Sequence, residues 1–129
     1  MRIVVAILFI VHGIAHLPGF VVPWRLATLS EMPYRTTILG GTFDVGSFGI
    51  RLVGILWLLA GLGFAIAGLA TFRNSQAWPT IALAVTLFSL ALTVLGWPGA
   101  RIGLVLNVVI LSYLLLGARA GWLPGGGGR

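Results

Sequence analysis

Two histidines are the residues of this sequence best suited to chemistry, and they stand four apart in "IVHGIAHLPGF", residues 10 to 20. Four residues make about one helical turn. His12 and His16 therefore leave a helix on one face, the second ring about 6 Å further along the axis. An H-x-x-x-H pair can bring both imidazoles to one divalent metal, with a third ligand from Glu31, Asp44 or Asn107. The glutamate of the metalloprotease H-E-x-x-H pattern is missing, because Gly13 follows His12. Haem is a second option. Two rings on one helix cannot take opposite axial positions, and the chain has 2 histidines in all, so a bis-His haem needs another subunit. A third option is a quinone head group hydrogen-bonded at one membrane face by His16, Tyr34, Asp44 and Arg51. Against all three stands a structural role, in which each ring donates to a carbonyl or a hydroxyl on a neighbouring helix.

The surroundings of the pair decide what it can be. The chain of 129 residues is 59% hydrophobic and 8% charged, with mean hydropathy +1.10, too little polarity to cover a soluble domain. The net charge of +6 comes from arginines scattered singly, without the run or stripe of a phosphate footprint, so nucleic acid is not an expected partner. Most of them stand near the end of an apolar run, where a long side chain reaches headgroups. There is no cysteine, which excludes disulfides and thiolate chemistry.

Four runs have the ~20 residues that a helix needs to cross hydrocarbon: about 3–22, 48–72, 79–96 and 101–118. The first opens like a signal peptide but lacks a clean small-x-small site and runs on through the histidines to Val22, so it is expected to be a retained span. Pro18 cannot offer an N–H to Ile14, which predicts a kink or a frayed end just past the pair. Trp78 and Trp97 bracket the third span and read as its two aromatic belts. Short turns after spans two and three force antiparallel neighbours. The loop at about 23–47 is longer and holds both acids, Glu31 and Asp44, with Tyr34 and Gly40-Gly41. The expectation is one all-α integral membrane domain over 1–119, a four-helix transmembrane bundle, with 120–129 as a disordered tail.

Lipid gives helices no hydrophobic reason to associate, so small and weakly polar side chains mark their contacts. Span three carries Ala82, Thr86, Ser89, Thr93 and Gly96 at alternating steps of four and three. Span two carries Ala60, Gly63, Ala67 and Ala70, and a second set, Gly54, Gly61 and Gly68, repeating every seven residues. In span four Gly103, Asn107 and Gly117 lie near one face. These stripes are expected to pack spans two and three closely. His12 and His16 are expected to point into the bundle, with His16 near Arg51.

"VHGIAHLPGF", followed by "GIRLVGILWLLAGLGFAIAGLA", resembles a group of small four-span bacterial membrane proteins whose first helix reads H-G-x-x-H-L-x-G-F. His12, Gly13, His16, Leu17, Gly19 and Phe20 match that motif; Gly54, Leu56, Trp57, Leu58 and Ala60 match the G-x-L-W-L-x-A opening of their second helix. By architecture the chain is also similar to DoxX-like four-helix proteins, some of them linked with quinone-dependent oxidation. The resemblance implies a bacterial inner-membrane protein. The arginines divide evenly between the two sides, and Arg2 ahead of the first span with the acids in the long loop gives the expectation that both termini are cytoplasmic. Two function classes stand open. One is a non-catalytic subunit or scaffold that binds lipid and other membrane helices, as a homo-oligomer or within a larger complex. The other is a redox-associated protein with a quinone, haem or metal site on His12 and His16. A small dimeric exporter is a third reading, against which both acids lie outside the spans.

Overall fold

The computed structural model describes residues 1–121 and 123, and in it the chain is all-α apart from one short hairpin. Four helical segments are long and apolar enough to cross a membrane: Arg2–Val21, Gly46–Phe72, Trp78–Leu95 and Arg101–Ala120. The tail expected at 120–129 lies outside the described residues at positions 122 and 124–129; Leu123, which is described, is buried in the apolar core.

Span one is two helices, α1 (Arg2–Ile14) and α2 (Pro18–Val21). The break has a local cause. Pro18 has no N–H for the Ile14 carbonyl, and its ring crowds that carbonyl. The chain tightens instead to three-residue bonds: His16 N–H to Gly13 O at 3.1 Å, Leu17 N–H to Ile14 O at 3.0 Å and Gly19 N–H to His16 O at 3.1 Å. After the connection come α3 (Gly46–Phe72), α4 (Trp78–Leu95) with Pro79 in its first turn, and α5 (Arg101–Ala120), closed by Gly121 in the left-handed conformation at φ 70°. At 27 residues α3 is about 40 Å long, more than the ~30 Å hydrocarbon core, so it must tilt or extend beyond it.

The helices pack in a row that folds round on itself: α1 on α3, α3 on α4, and α4 on α5. The two small-residue sets of α3 divide between the two partners. Gly63 faces Val85 of α4, and Ala67 joins Ala82 and Val85 in the core. Gly54, Gly61 and Gly68 face span one and its continuation: Gly61 meets the Gly13 carbonyl, Gly68 meets Ala6 O and Ile10, and Gly54 meets Trp24. A methyl added to Gly13 would stand 2.7 Å from the Gly61 carbonyl oxygen. The heptad set thus belongs to the α1–α3 contact, where backbone touches backbone. Trp78 departs from its belt assignment. It is fully buried against Phe9, with ring centroids 6.2 Å apart, while Trp97 remains half exposed.

The long connection is ordered around β1 (Thr37–Ile38) and β2 (Phe43–Asp44), antiparallel, with Gly40 and Gly41 at positive φ in the turn. Leu39 N–H donates to Leu95 O at 2.8 Å, so the hairpin hangs on an end carbonyl of α4 that the helix leaves unpaired. Gly13→Ala is expected to lower thermal stability in detergent by about 1–3 kcal/mol, because the obstructing atom is backbone and cannot rotate away. Ala65→Leu, on the exposed face of the same crossing, should stay near the wild-type midpoint; equal midpoints for both variants would contradict the backbone contact.

Candidate functional site

The break at residues 15–17 does more than bend span one. In an unbroken helix the His12 carbonyl would receive the amide of His16. That amide goes to Gly13 O instead, and the freed His12 carbonyl takes the His16 ring, Nδ1 to O at 2.7 Å. A carbonyl only accepts, so Nδ1 carries the hydrogen and a neutral ring offers a bare Nε2. Ser89 Oγ lies 2.6 Å from that nitrogen and donates its hydroxyl hydrogen to it. Asn107 Nδ2–H then donates to Ser89 Oγ at 2.9 Å, and His12 Nε2–H to Asn107 Oδ1 at 3.0 Å. The reverse orientation of the amide would ask one hydroxyl hydrogen to serve both His16 and Asn107. The four side chains and the His12 carbonyl thus form a closed loop of hydrogen bonds running in one direction, joining α1, the following turn, α4 and α5. Asn107 Nδ2 also approaches Thr93 Oγ1 at 3.5 Å, while Thr93 donates to Leu90 O at 2.9 Å.

Aromatic rings wall the loop. His12 meets Phe64 edge-on, centroids 4.6 Å apart, and His16 leans on Trp57 at 5.2 Å. His12 is 7% exposed, His16 2%, and Ser89 and Asn107 0%. In such an apolar setting an unmatched donor or acceptor is costly, and a matched one holds its position.

Of the residues picked out from the sequence, Asn107 joins the histidine pair; Ser89 and Thr93, picked out for packing, belong to the same network. Tyr34, Asp44 and Arg51 stand elsewhere. Tyr34 lies under the Arg25 guanidinium at 4.2 Å, Asp44 sits in β2, and Arg51 is an exposed residue of α3 whose guanidinium lies 5.6 Å from the Trp24 ring. His16 therefore faces Ser89 and Trp57 and not the expected Arg51. Among the described residues no three of His, Asp, Glu or Cys gather as metal ligands. Both nitrogens of His16 are engaged within the chain, so a shared metal would have to break the loop. Sequence reasoning passed over Trp57 and Phe64 as walls of the site. Their signal was the stripe Trp57, Gly61, Phe64, Gly68, at steps of four, three and four on the face turned to span one.

Ser89 and His16 have the separation of a nucleophile and its base, with the His12 carbonyl in the place of the orienting acid. The remaining acceptor capacity of Ser89 is turned to Asn107, and its complete burial leaves no approach for a substrate. What the arrangement does chemically is hold four polar groups in one mutual orientation inside an apolar bundle.

Asp44 works at the membrane face. Its Oδ1 accepts from Gly46 N–H at 2.9 Å, at the start of α3, and from Thr36 Oγ1 at 2.8 Å. These donors, the Gly46 amide first, hold its carboxyl below the usual carboxylate range. A depressed folded value gives stability that is present above the unfolded value and lost as pH falls through the folded one. Thr36→Ala should shift the Asp44 side-chain carboxyl resonance titration to higher pH. An unmoved midpoint would mean that the hydroxyl does not hold the carboxylate.

His12→Ala and Asn107→Ala, singly and together, give the second test. Each single change strands a buried partner, at about 1–3 kcal/mol. Their double-mutant coupling should exceed about 0.5 kcal/mol. Additive losses would show that the two side chains act independently.

Comparisons with protein-family models, with curated proteins and with solved structures gave no match for this chain.

Proposed function

We propose that the chain is a non-catalytic subunit or scaffold of a membrane complex, a rigid four-helix body against which other membrane helices assemble. The observation that carries this reading is the internal pairing of the histidine network. The functional nitrogens of His16 and the amide oxygen and nitrogen of Asn107 all find partners within the same chain, as a tie between helices requires and a ligand site does not. The second support is that three of the four spanning helices, α1, α4 and α5, are joined by one buried polar centre, a device that fixes register in an environment where apolar contacts alone discriminate poorly.

On this reading the protein lies in a bacterial inner membrane with both termini in the cytoplasm, as a relative of the four-span proteins that share the H-G-x-x-H-L-x-G-F motif. Its partners are lipid and other membrane helices, either further copies of itself or a larger assembly.

The test uses protein extracted gently from its native membrane. A scaffold is expected to migrate as a complex well above the 13.6 kDa of one chain, with no visible absorption band, stoichiometric metal or co-purifying quinone. In that preparation His12→Ala and His16→Ala should lower thermal stability and leave the composition of the complex unchanged. A haem band, a bound metal or an extracted quinone that disappears in both variants would replace the scaffold with the redox-associated alternative. A monodisperse single chain in native lipid would remove the assembly role.

A further inference from the structure

We propose that the cleft just beyond span one binds the phosphate head of an anionic membrane lipid. The cleft has a volume of about 250 Å³ and lies on the segment that follows Val21, where the first membrane-length helix ends. Its lining divides in two. Val22, Ala27, Leu29 and Met32 are its apolar residues, and Arg25, Thr28 and Tyr34 are its polar ones. That division suits a molecule with an anionic head and methylenes directly behind it, at the depth where a bilayer presents such a molecule.

Arg25 is built into the cleft. Its backbone is left-handed, φ 55°, a conformation that L-residues other than glycine, asparagine and aspartate seldom adopt. The turn is held by Arg25 N–H to Val22 O and by Leu26 N–H to Val21 O, both at 2.9 Å. An arginine that only snorkels to the headgroup layer does not need a strained backbone. Here the turn lays the guanidinium over the Tyr34 ring, 4.2 Å from its centroid. At that distance the ring covers one side of the guanidinium and leaves N–H groups directed away from it, and arginine takes two phosphate oxygens at once through such a pair. Among the described residues Arg25 has the tyrosine ring as its side-chain partner and no carboxylate. Beside it, Leu29 and Met32 form an isolated antiparallel bridge, with Met32 N–H to Leu29 O at 3.2 Å, which keeps the apolar wall in place. The proposal needs only the membrane placement of span one, so it stands or falls separately from the scaffold reading.

The full chain, reconstituted in nanodiscs of neutral phosphatidylcholine doped with phosphatidylglycerol and released in native mass spectrometry, tests it. The wild type should retain phosphatidylglycerol over phosphatidylcholine by about tenfold, because both carry the phosphate but only phosphatidylcholine brings a quaternary ammonium cation up against the Arg25 guanidinium. Arg25→Gln should lose that preference, whereas Arg35→Gln, an exposed arginine outside the cleft lining, should keep it. Met32→Glu is the second variant. It leaves Arg25 in place, changes a partly exposed side chain and sets a carboxylate against the phosphate, so it should also abolish the preference. Equal retention by the wild type and Arg25→Gln, or an equal loss in Arg35→Gln, would overturn the proposal. If Arg25→Gln does not fold, an undiminished preference in Met32→Glu overturns it in the same way. Displacement of the lipid by inorganic phosphate at equal concentration would assign the site to the free anion and overturn the lipid.

Discussion

A loop of hydrogen bonds closed through His12, Asn107, Ser89 and His16 is the constraint around which this bundle is arranged. Each member is buried among apolar side chains, where water cannot replace a missing partner. The loop therefore has one satisfied arrangement, and reaching it requires α1, α4 and α5 to stand at one mutual height and rotation. Apolar contacts in a membrane do not set such a register, since a leucine meets lipid nearly as well as it meets another leucine. Directional bonds between unlike groups do.

The helix break and the polar loop are one feature. Pro18 ends the regular ladder of span one, the amide of His16 moves to Gly13, and the carbonyl of His12 is left to receive an imidazole. Without that shift His16 would have one ring nitrogen to place in hydrocarbon. Close packing between α1 and α3 completes the support. Gly13 and Gly61 let the two backbones touch, and the same approach brings Phe64 and Trp57 against the histidine rings. A side chain at either glycine would move the walls of the site as well as the helix.

At the membrane face the design is different. The hairpin of β1 and β2 is held by backbone groups and by a carboxylate: Leu39 to the end of α4, Asp44 to the start of α3. Trp24 donates to the Arg51 carbonyl at 3.0 Å and fastens the end of span one to α3. These are polar contacts in reach of water, worth less each than the buried ones, and they give the connection after span one its shape.

The number of spans, their approximate limits and the helical class were legible in the sequence, because hydropathy over some 20 residues is a property of the chain and needs no partner. So was the helix break, since proline lacks its N–H wherever it stands. The burial of Asn107 and of the Ser89 and Thr93 stripe could also be expected, since polar groups in hydrocarbon turn inward. Tertiary structure alone decided which inward-facing groups meet. His16 found Ser89, 73 positions away, where the sequence suggested Arg51. The heptad glycines of α3 turned to span one, and Trp78 left its belt for the core. Spacing along one helix states which residues share a face. It carries no information on which neighbour lies against that face, at what height or in which rotation, because those depend on the simultaneous fit of side chains from all four spans.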